Sequence, residues 1–343
     1  MGGMETYSEK LSDRLRAYGE VEVIALPGHA DGSTPGAWEL LRFGAKTAFS
    51  LLSSAHPAPV THVADMASWP LALAARLRKP SARRVLSAHG TDVSFAARDG
   101  LLGKLYRLYL KLGARLLGPV TVIANSGATA RAAEALGFRD TVIVPLAAEI
   151  ASQMDGSAAA PNQTILFSGR LIPLKGFRWF AENVLPRLPE TMEVEVAGTI
   201  WDAGEGAALE TPRVRFLGRL EQAVLHRHMA AAMCVIIPNV DQGNGSFEGF
   251  GLVAVETAVA GGVVVAAGHG GLKDAVKDGE TGFLLAPGQA DQWVAKIEEI
   301  AAWSPERRAE FIEKARHVAS SYYNWDRVAR DTARHYIGET AET

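Results

Sequence analysis

The sequence predicts an α/β protein of two doubly wound, Rossmann-like domains facing a cleft, and three observations carry that expectation. Short apolar runs alternate with helix-like stretches along the whole chain, the pattern of parallel sheets covered by helices on both faces. The alternation stops after Pro145, where ASQMDGSAAAPN (151–162) is small, polar and bounded by proline, and then restarts. A length of 343 residues, at about 150 per domain, also points to two domains.

In the first half the strands are expected at VEVIAL (21–26), VTHVA (60–64), RVLSA (84–88), VTVIA (120–124) and TVIVP (141–145). Helices are expected near 4–18, 36–54, 70–78, 100–117 and 127–137. The first of these should pack on the sheet through Leu11 and Leu15, with Glu9, Asp13 and Arg16 outward. In the second half the strands are TILFS (164–168), MEVEVA (192–197), RVRFL (213–217), CVIIP (234–238), GVVVAA (262–267) and GFLLA (282–286), followed by helices near 289–302, 305–319 and 325–337. Six strands with crossovers make a second doubly wound domain. Ligands of such sheets bind beyond the strand C-termini, so chemistry belongs in the loops that follow strands.

Composition narrows the function classes. Hydrophobic residues make up 48% and charged residues 21%, with a mean hydropathy of +0.04, values of a folded globular chain. No run approaches the roughly 18 apolar residues of a membrane span, and the N-terminus is polar where a signal peptide is apolar, so a cytoplasmic protein is expected. The single cysteine, Cys234, excludes a disulfide framework and reads as a small core residue. A net charge of −3 argues against a nucleic-acid binder. The halves differ, however: residues 1–150 hold 17 Lys/Arg against 13 Asp/Glu, and ten of those cations lie between Arg76 and Arg115. There GLLGKLYRLYLKLGARLLG (100–118) sets Lys104, Arg107, Lys111 and Arg115 on one helical face, beside Leu105, Leu108, Leu112 and Leu116. Two readings are open, a core-facing helix with a solvated cationic face or an anionic membrane contact.

Chemistry concentrates after two strands. SGRLIPLKGF follows TILFS and places Arg170 and Lys175 five residues apart, suited to a phosphate or diphosphate. After CVIIP comes SFEGFGLVAVETAVAGG (246–262), which opens a helix at about Gly251. Glu248 before the helix and Glu256 inside it are expected to point broadly the same way. Free N–H groups at the helix start offer an anion site. Gly249 to Ala254 match the dinucleotide fingerprint, but about ten residues separate them from the strand, which argues against a nicotinamide or flavin site. His89 ends a strand and is followed by Gly90 and Asp92. No D-x-D, H-E-x-x-H or G-x-S-x-G occurs, so no metal site and no serine nucleophile are expected.

These motifs together resemble the retaining glycosyltransferases of family four (glycosyl transferases group 1), over nearly the whole chain. The carriers are GGMETYSEKL, AHGTDV, VIANSGATARAAEALGF, FSGRLIPLKGF and above all FEGFGLVAVETAVAGGVVVAAGHGGLKDAVKDGETGFLL. The resemblance implies a GT-B fold, with an N-terminal acceptor-side domain (1–150), a linker (151–162), a donor-binding domain (163–320) and a final helix (321–343) crossing back to the first domain. It implies that Arg170 and Lys175 hold the diphosphate of a nucleotide sugar, that Glu256 holds the ribose, and that Glu248 holds the donor sugar. Backbone N–H groups of Phe250, Gly251 and Leu252 would contact sugar and phosphate, while His89 and Gly3 would reach the donor from the first domain. The implied reaction moves a hexose-type sugar to an acceptor hydroxyl with retention, without a metal or other cofactor, in cell-surface glycan or glycolipid synthesis. The implied acceptor is a glycan or a lipid-linked molecule at the inner membrane face, reached through the basic segment 76–115. The family has a strand ahead of its two glycines, and here nothing precedes Gly2 but Met1, so the expectation is either a true start upstream or a first sheet without that central strand. Alternatives are a non-catalytic GT-B scaffold subunit, or an epimerase or phosphorylase on the same fold.

Overall fold

The computed structural model describes residues 3–26, 28, 35–148 and 163–337, so Gly2 and the expected linker lie outside the described residues. The chain divides into two units, one of residues 1–144 together with 325–343, the other of residues 145–324. The boundaries thus fall at 144/145 and 324/325, where the sequence suggested 150/151 and 320/321.

The first unit contains α1 (Gly3–Leu15), α2 (Ala37–Ser53), β1 (Val60–Val63), α3 (Trp69–Arg78), β2 (Arg83–Ala88), α4 (Thr91–Ser94), α5 (Leu101–Leu116), β3 (Thr121–Ala124), α6 (Gly127–Ala135) and β4 (Asp140–Ile143). Its sheet runs β1-β2-β3-β4, all parallel. Every residue of β3 is buried, as a central parallel strand covered on both faces requires. Tyr7, Leu11 and Leu15 recur every four residues on α1 and are buried, while Glu9, Asp13 and Arg16 are exposed. Each such buried side chain contributes about 1.5 to 3 kcal/mol.

The second unit contains β5 (Thr164–Leu171), α7 (Phe177–Asn183), β6 (Glu193–Ile200), α8 (Ala203–Ala207), β7 (Val214–Gly218), α9 (Gln222–Ala231), β8 (Cys234–Ile237), α10 (Leu252–Ala260), β9 (Val264–Ala267), α11 (Leu272–Ala275), β10 (Phe283–Leu285), α12 (Ala290–Ala301) and α13 (Pro305–Tyr322). Its parallel sheet has the order β10-β9-β8-β5-β6-β7. Cys234 is fully buried, and that burial pushes its thiol up to about 12. Tyr323 closes the unit: its ring is buried and its hydroxyl donates to the Asp274 carbonyl at 2.8 Å.

The last helix, α14 (Trp325–Ile337), belongs to the first unit. Trp325 lies 6.2 Å from the Tyr7 ring, and Asp326 pairs with Arg14 at 3.5 Å. A polar chain completes the attachment: Tyr7 OH to Ser87 Oγ (3.1 Å), Ser87 Oγ to His62 Nε2 (2.8 Å), and His62 Nδ1 to Tyr336 OH (2.5 Å).

One expected strand is absent. Residues 21–26 (VEVIAL) form no strand, and Val23 and Ile24 are exposed. Among the described residues the sheet opens at β1 instead. A run of β-favouring residues becomes a strand only where a sheet edge and a covering layer receive it.

The polar chain makes a pH prediction. Burial, aided by the charge of His89, lowers the His62 pKa from 6.5 to about 4. A histidine depressed in the folded state is protonated first in the unfolded chain, so folding loses stability as pH falls from about 6.5 to about 4 and is indifferent to this group above that window. The loss is at most about 3 kcal/mol. Urea unfolding of wild type and His62→Gln at several pH values should show this slope only in the wild type; an identical slope in both would exclude His62 as its source.

Candidate active site

Strands β5 and β8 are neighbours, yet the chain leaves β5 towards β6 and β7 on one side and continues from β8 to β9 and β10 on the other. Ligands of open parallel sheets bind beyond the strand C-termini at such a reversal. The loops after β5, β8 and β9 meet there. Val240 N–H donates to the Leu174 carbonyl at 3.1 Å, and Gly271 N–H to the Glu248 carbonyl at 2.8 Å. Gly176 has φ +69°, and a Cβ on it would lie 2.1 Å from the Pro238 oxygen, so the β5 loop closes against the end of β8 only as glycine.

Arg170, Lys175 and Glu248 are brought together by these loops. Lys175 Nζ forms an ion pair with Glu248 Oε2, both side chains being largely buried. Asn239 Nδ2 donates to the same oxygen at 3.2 Å. Burial alone would raise the Glu248 pKa; the charge and hydrogen bond of Lys175, the bond from Asn239 and the charge of Arg170 outweigh it and hold the carboxyl below its ordinary value. Glu248 is therefore an ionised, well-anchored acceptor for hydroxyl groups.

One placement differs from expectation. Arg170 is not in a loop: β5 continues through it to Leu171, paired with β6 as far as Ile200. Its guanidinium stands 5.3 Å from the Trp201 ring, and Trp201 Nε1 donates to Thr199 Oγ1 at 2.9 Å. Glu248 precedes α10 and Glu256 lies inside it, as the sequence suggested. Lys175 and Asn239 set the direction of the Glu248 carboxylate, while Glu256 is half-buried in the second turn of α10.

At the start of α10, Gly251 is the left-handed N-cap (φ +97°), and Leu252 is the first helical residue. Phe250 has its ring in the core, 6.1 Å from Tyr323, so the backbone is what it offers a ligand. Helix starts leave N–H groups without intrahelical partners, and these suit an anion.

His89 and Gly3 lie in the first unit. His89 follows β2, half-buried, with Nε2 2.9 Å from the Ala64 carbonyl, its ring 4.7 Å from Tyr7, and its backbone N–H donating to Asp92 Oδ1 at 2.9 Å. Burial, opposed by the charge of His89, raises the Asp92 pKa. Gly3 is the first residue of α1.

Sequence reasoning passed over Asn239. It is 1% exposed, and its Oδ1 has no partner, an orphaned acceptor beside Glu248. Its place directly after CVIIP was the available signal. Among the described residues no group of three His, Cys, Asp or Glu could hold a metal ion, and no helix is long and apolar enough to cross a membrane.

Residues 162–302 match the family model described as Glycosyl transferases group 1. The chain is 27% identical over 235 residues to the D-inositol 3-phosphate glycosyltransferase of Geodermatophilus obscurus, covering 60% of this chain and 48% of that one. It is 31% identical over 190 residues to the glycogen synthase of Mycobacterium tuberculosis, covering 50% and 42%. It thus spans about half or less of the length of these curated relatives. Among solved structures, Anabaena HepE in complex with UDP and glucose aligns with a TM-score of 0.69 at 22% identity, covering 97% of this chain and 95% of that one. Sucrose-phosphate synthase from Thermosynechococcus elongatus aligns at 0.72 and 19%, covering 100% and 94%. The fold is the two-domain α/β fold of these proteins, GT-B.

Proposed function

We propose, from the premise that residues 162–302 form a glycosyl transferases group 1 domain, that this chain moves a hexose-type sugar from a nucleoside-diphosphate sugar to an acceptor hydroxyl, with retention and without a metal. The observation that carries the reading is the convergence of Arg170, Lys175, Asn239 and Glu248 at the reversal between β5 and β8. Negative charge develops on the departing diphosphate, and Arg170, Lys175 and the start of α10 are the donors to receive it. Glu248 and the free Oδ1 of Asn239 are acceptors for donor-sugar hydroxyls, and Glu256 for the ribose.

The anomeric C–O bond breaks towards the diphosphate, and the acceptor oxygen bonds the same face. The leaving phosphate oxygen takes the acceptor's proton. Glu248 is a poor covalent nucleophile because its charge is already shared by Lys175 and Asn239, which favours this front-face route. The first unit's own candidates for ligand contact are His89 and Gly3.

The Anabaena structures with UDP and UDP-glucose make uridine donors the first to test. Acceptor-dependent release of nucleoside diphosphate, unchanged by a chelator, is the expected result. Release that absolutely requires a divalent ion would overturn the metal-free reading. Binding without any release would favour a scaffold subunit, and turnover without an acceptor an epimerase or phosphorylase.

The partner reading concerns α5. Its buried residues include Gly103, Leu110 and Gly113, while Leu101, Leu105, Leu108, Leu112 and Leu116 are exposed on the opposite side with Lys104, Lys111 and Arg115. The leucines are not core-facing, and Arg107 turns inward to the Ala96 carbonyl at 2.7 Å. A leucine face flanked by cations suits an anionic bilayer and hence a lipid-linked acceptor at the inner membrane surface. Each cation near such a surface adds about 1 kcal/mol. Binding to anionic vesicles should fall with salt and with charge reversal at Lys104 and Lys111; equal binding to neutral vesicles would count against it.

A further inference from the structure

Helix α2 is the least covered long element of the first unit. Trp38, Leu41, Ala45, Phe49 and Leu52 recur at helical spacing along one face, and Trp38 and Phe49 are 76% and 73% exposed. Thr47, its one buried residue, faces the other way. A globular protein's surface helix ordinarily turns its apolar stripe inward. Here an aromatic-ended apolar stripe faces away from the unit, and contiguous exposed apolar surface of that kind marks an interaction site. Arg42 and Lys46 flank the stripe, while the acidic Glu39 is occupied in the cap by the Gly36 N–H at 2.7 Å. Helix α3 packs against both α2 and α5 and is the common neighbour of the two helices with outward apolar faces.

We infer that α2 enters the interfacial layer of an anionic membrane, its aromatic and leucine stripe among the acyl chains, while α5 supplies the electrostatic tether. This inference rests on the membrane reading of α5 and adds to it a second, hydrophobic anchor. The flanking cations argue for a lipid surface as the occupant over a second copy of the chain, because two copies meeting through these stripes would bring Arg42 and Lys46 together in like-charged rows. Division of labour follows: charge attraction is screened by salt, whereas an inserted apolar stripe is not.

The test uses the full chain carrying Leu41→Cys labelled with a polarity-sensitive fluorophore; Cys234 is fully buried and stays unmodified in the folded protein. With vesicles of phosphatidylglycerol mixed with phosphatidylcholine, the emission should shift to the blue and brighten severalfold, and keep most of that change when salt is added after binding. The same label at exposed Glu9→Cys on α1 should not respond. Trp38→Ala with Phe49→Ala should weaken vesicle binding about tenfold or more and leave the remainder fully salt-reversible. Vesicle binding that depends on Lys104 and Lys111 with no emission change at residue 41 would overturn the α2 anchor and leave the α5 reading standing. No vesicle binding would overturn both. A dimer without vesicles that Trp38→Ala and Phe49→Ala dissolve would assign the stripe to a second copy instead.

Discussion

Replacing Lys175 by alanine should lower turnover by roughly 30- to 1,000-fold, on the order of 2 to 4 kcal/mol of lost transition-state stabilisation. It should also destabilise the second unit, because its cation is the ion-pair partner of the largely buried Glu248. In the wild type, Glu248 has a pKa below its ordinary value. A carboxyl depressed in the folded state contributes stability that is present above its unfolded pKa and lost as pH falls through the folded value. In Lys175→Ala the raising effect of burial loses its main opponent, so acid unfolding should begin at a higher pH. Arg170→Ala separates the two roles: Arg170 is exposed at the end of β5, so turnover should fall comparably with little change in stability. Steady-state kinetics with the true donor, together with acid titrations followed by circular dichroism, read both quantities. Wild-type turnover in both variants would remove the diphosphate assignment.

Local pattern was enough to place most elements, because apolar runs and helical periodicity reflect burial directly. The six strands of the second unit and the helices near 290–301, 305–322 and 325–337 lie within a few residues of where periodicity put them. VEVIAL misled because strand formation depends on a neighbour that the segment does not carry in itself. For the site, Arg170, Lys175 and Glu248 could be picked out from their motifs, but their arrangement could not. Lys175 and Glu248 are 73 residues apart, and only the reversal at β5 and β8 makes them partners. Glu248 before the helix and Glu256 inside it stand where the sequence put them, but their spacing did not show that Lys175 and Asn239 hold the Glu248 carboxylate. Asn239 was easily passed over for a related reason: its place after a strand is a weak signal, because an asparagine there is ordinary, and it becomes informative only when its amide is buried beside a carboxylate.

Gly271→Ala should cost donor affinity and turnover together, by about 100-fold or more, with a fall in stability of roughly 1 to 3 kcal/mol from forced backbone movement. Gly271 has φ −74°, so the backbone conformation itself would accept alanine. The obstacle is steric: a Cβ there would lie 2.1 Å from the Gly249 oxygen and 2.7 Å from the Phe250 Cα. Those atoms belong to backbone and cannot rotate away. Residues 249 and 250 must therefore move, and with them the Glu248 carbonyl that Gly271 N–H holds at 2.8 Å, the carboxylate it carries, and the N–H groups that open α10. A control isolates this effect from glycine chemistry in general. Gly279 has φ +72° with nothing within 4 Å of a built Cβ, so Gly279→Ala should cost about 1 kcal/mol of backbone strain and leave donor binding intact. Calorimetric titration of both variants with nucleoside diphosphate, alongside thermal unfolding, distinguishes them. If Gly271→Ala binds the nucleoside diphosphate and turns over like wild type, the turn after β9 does not position Glu248, and the site must be held by the loops after β5 and β8 alone.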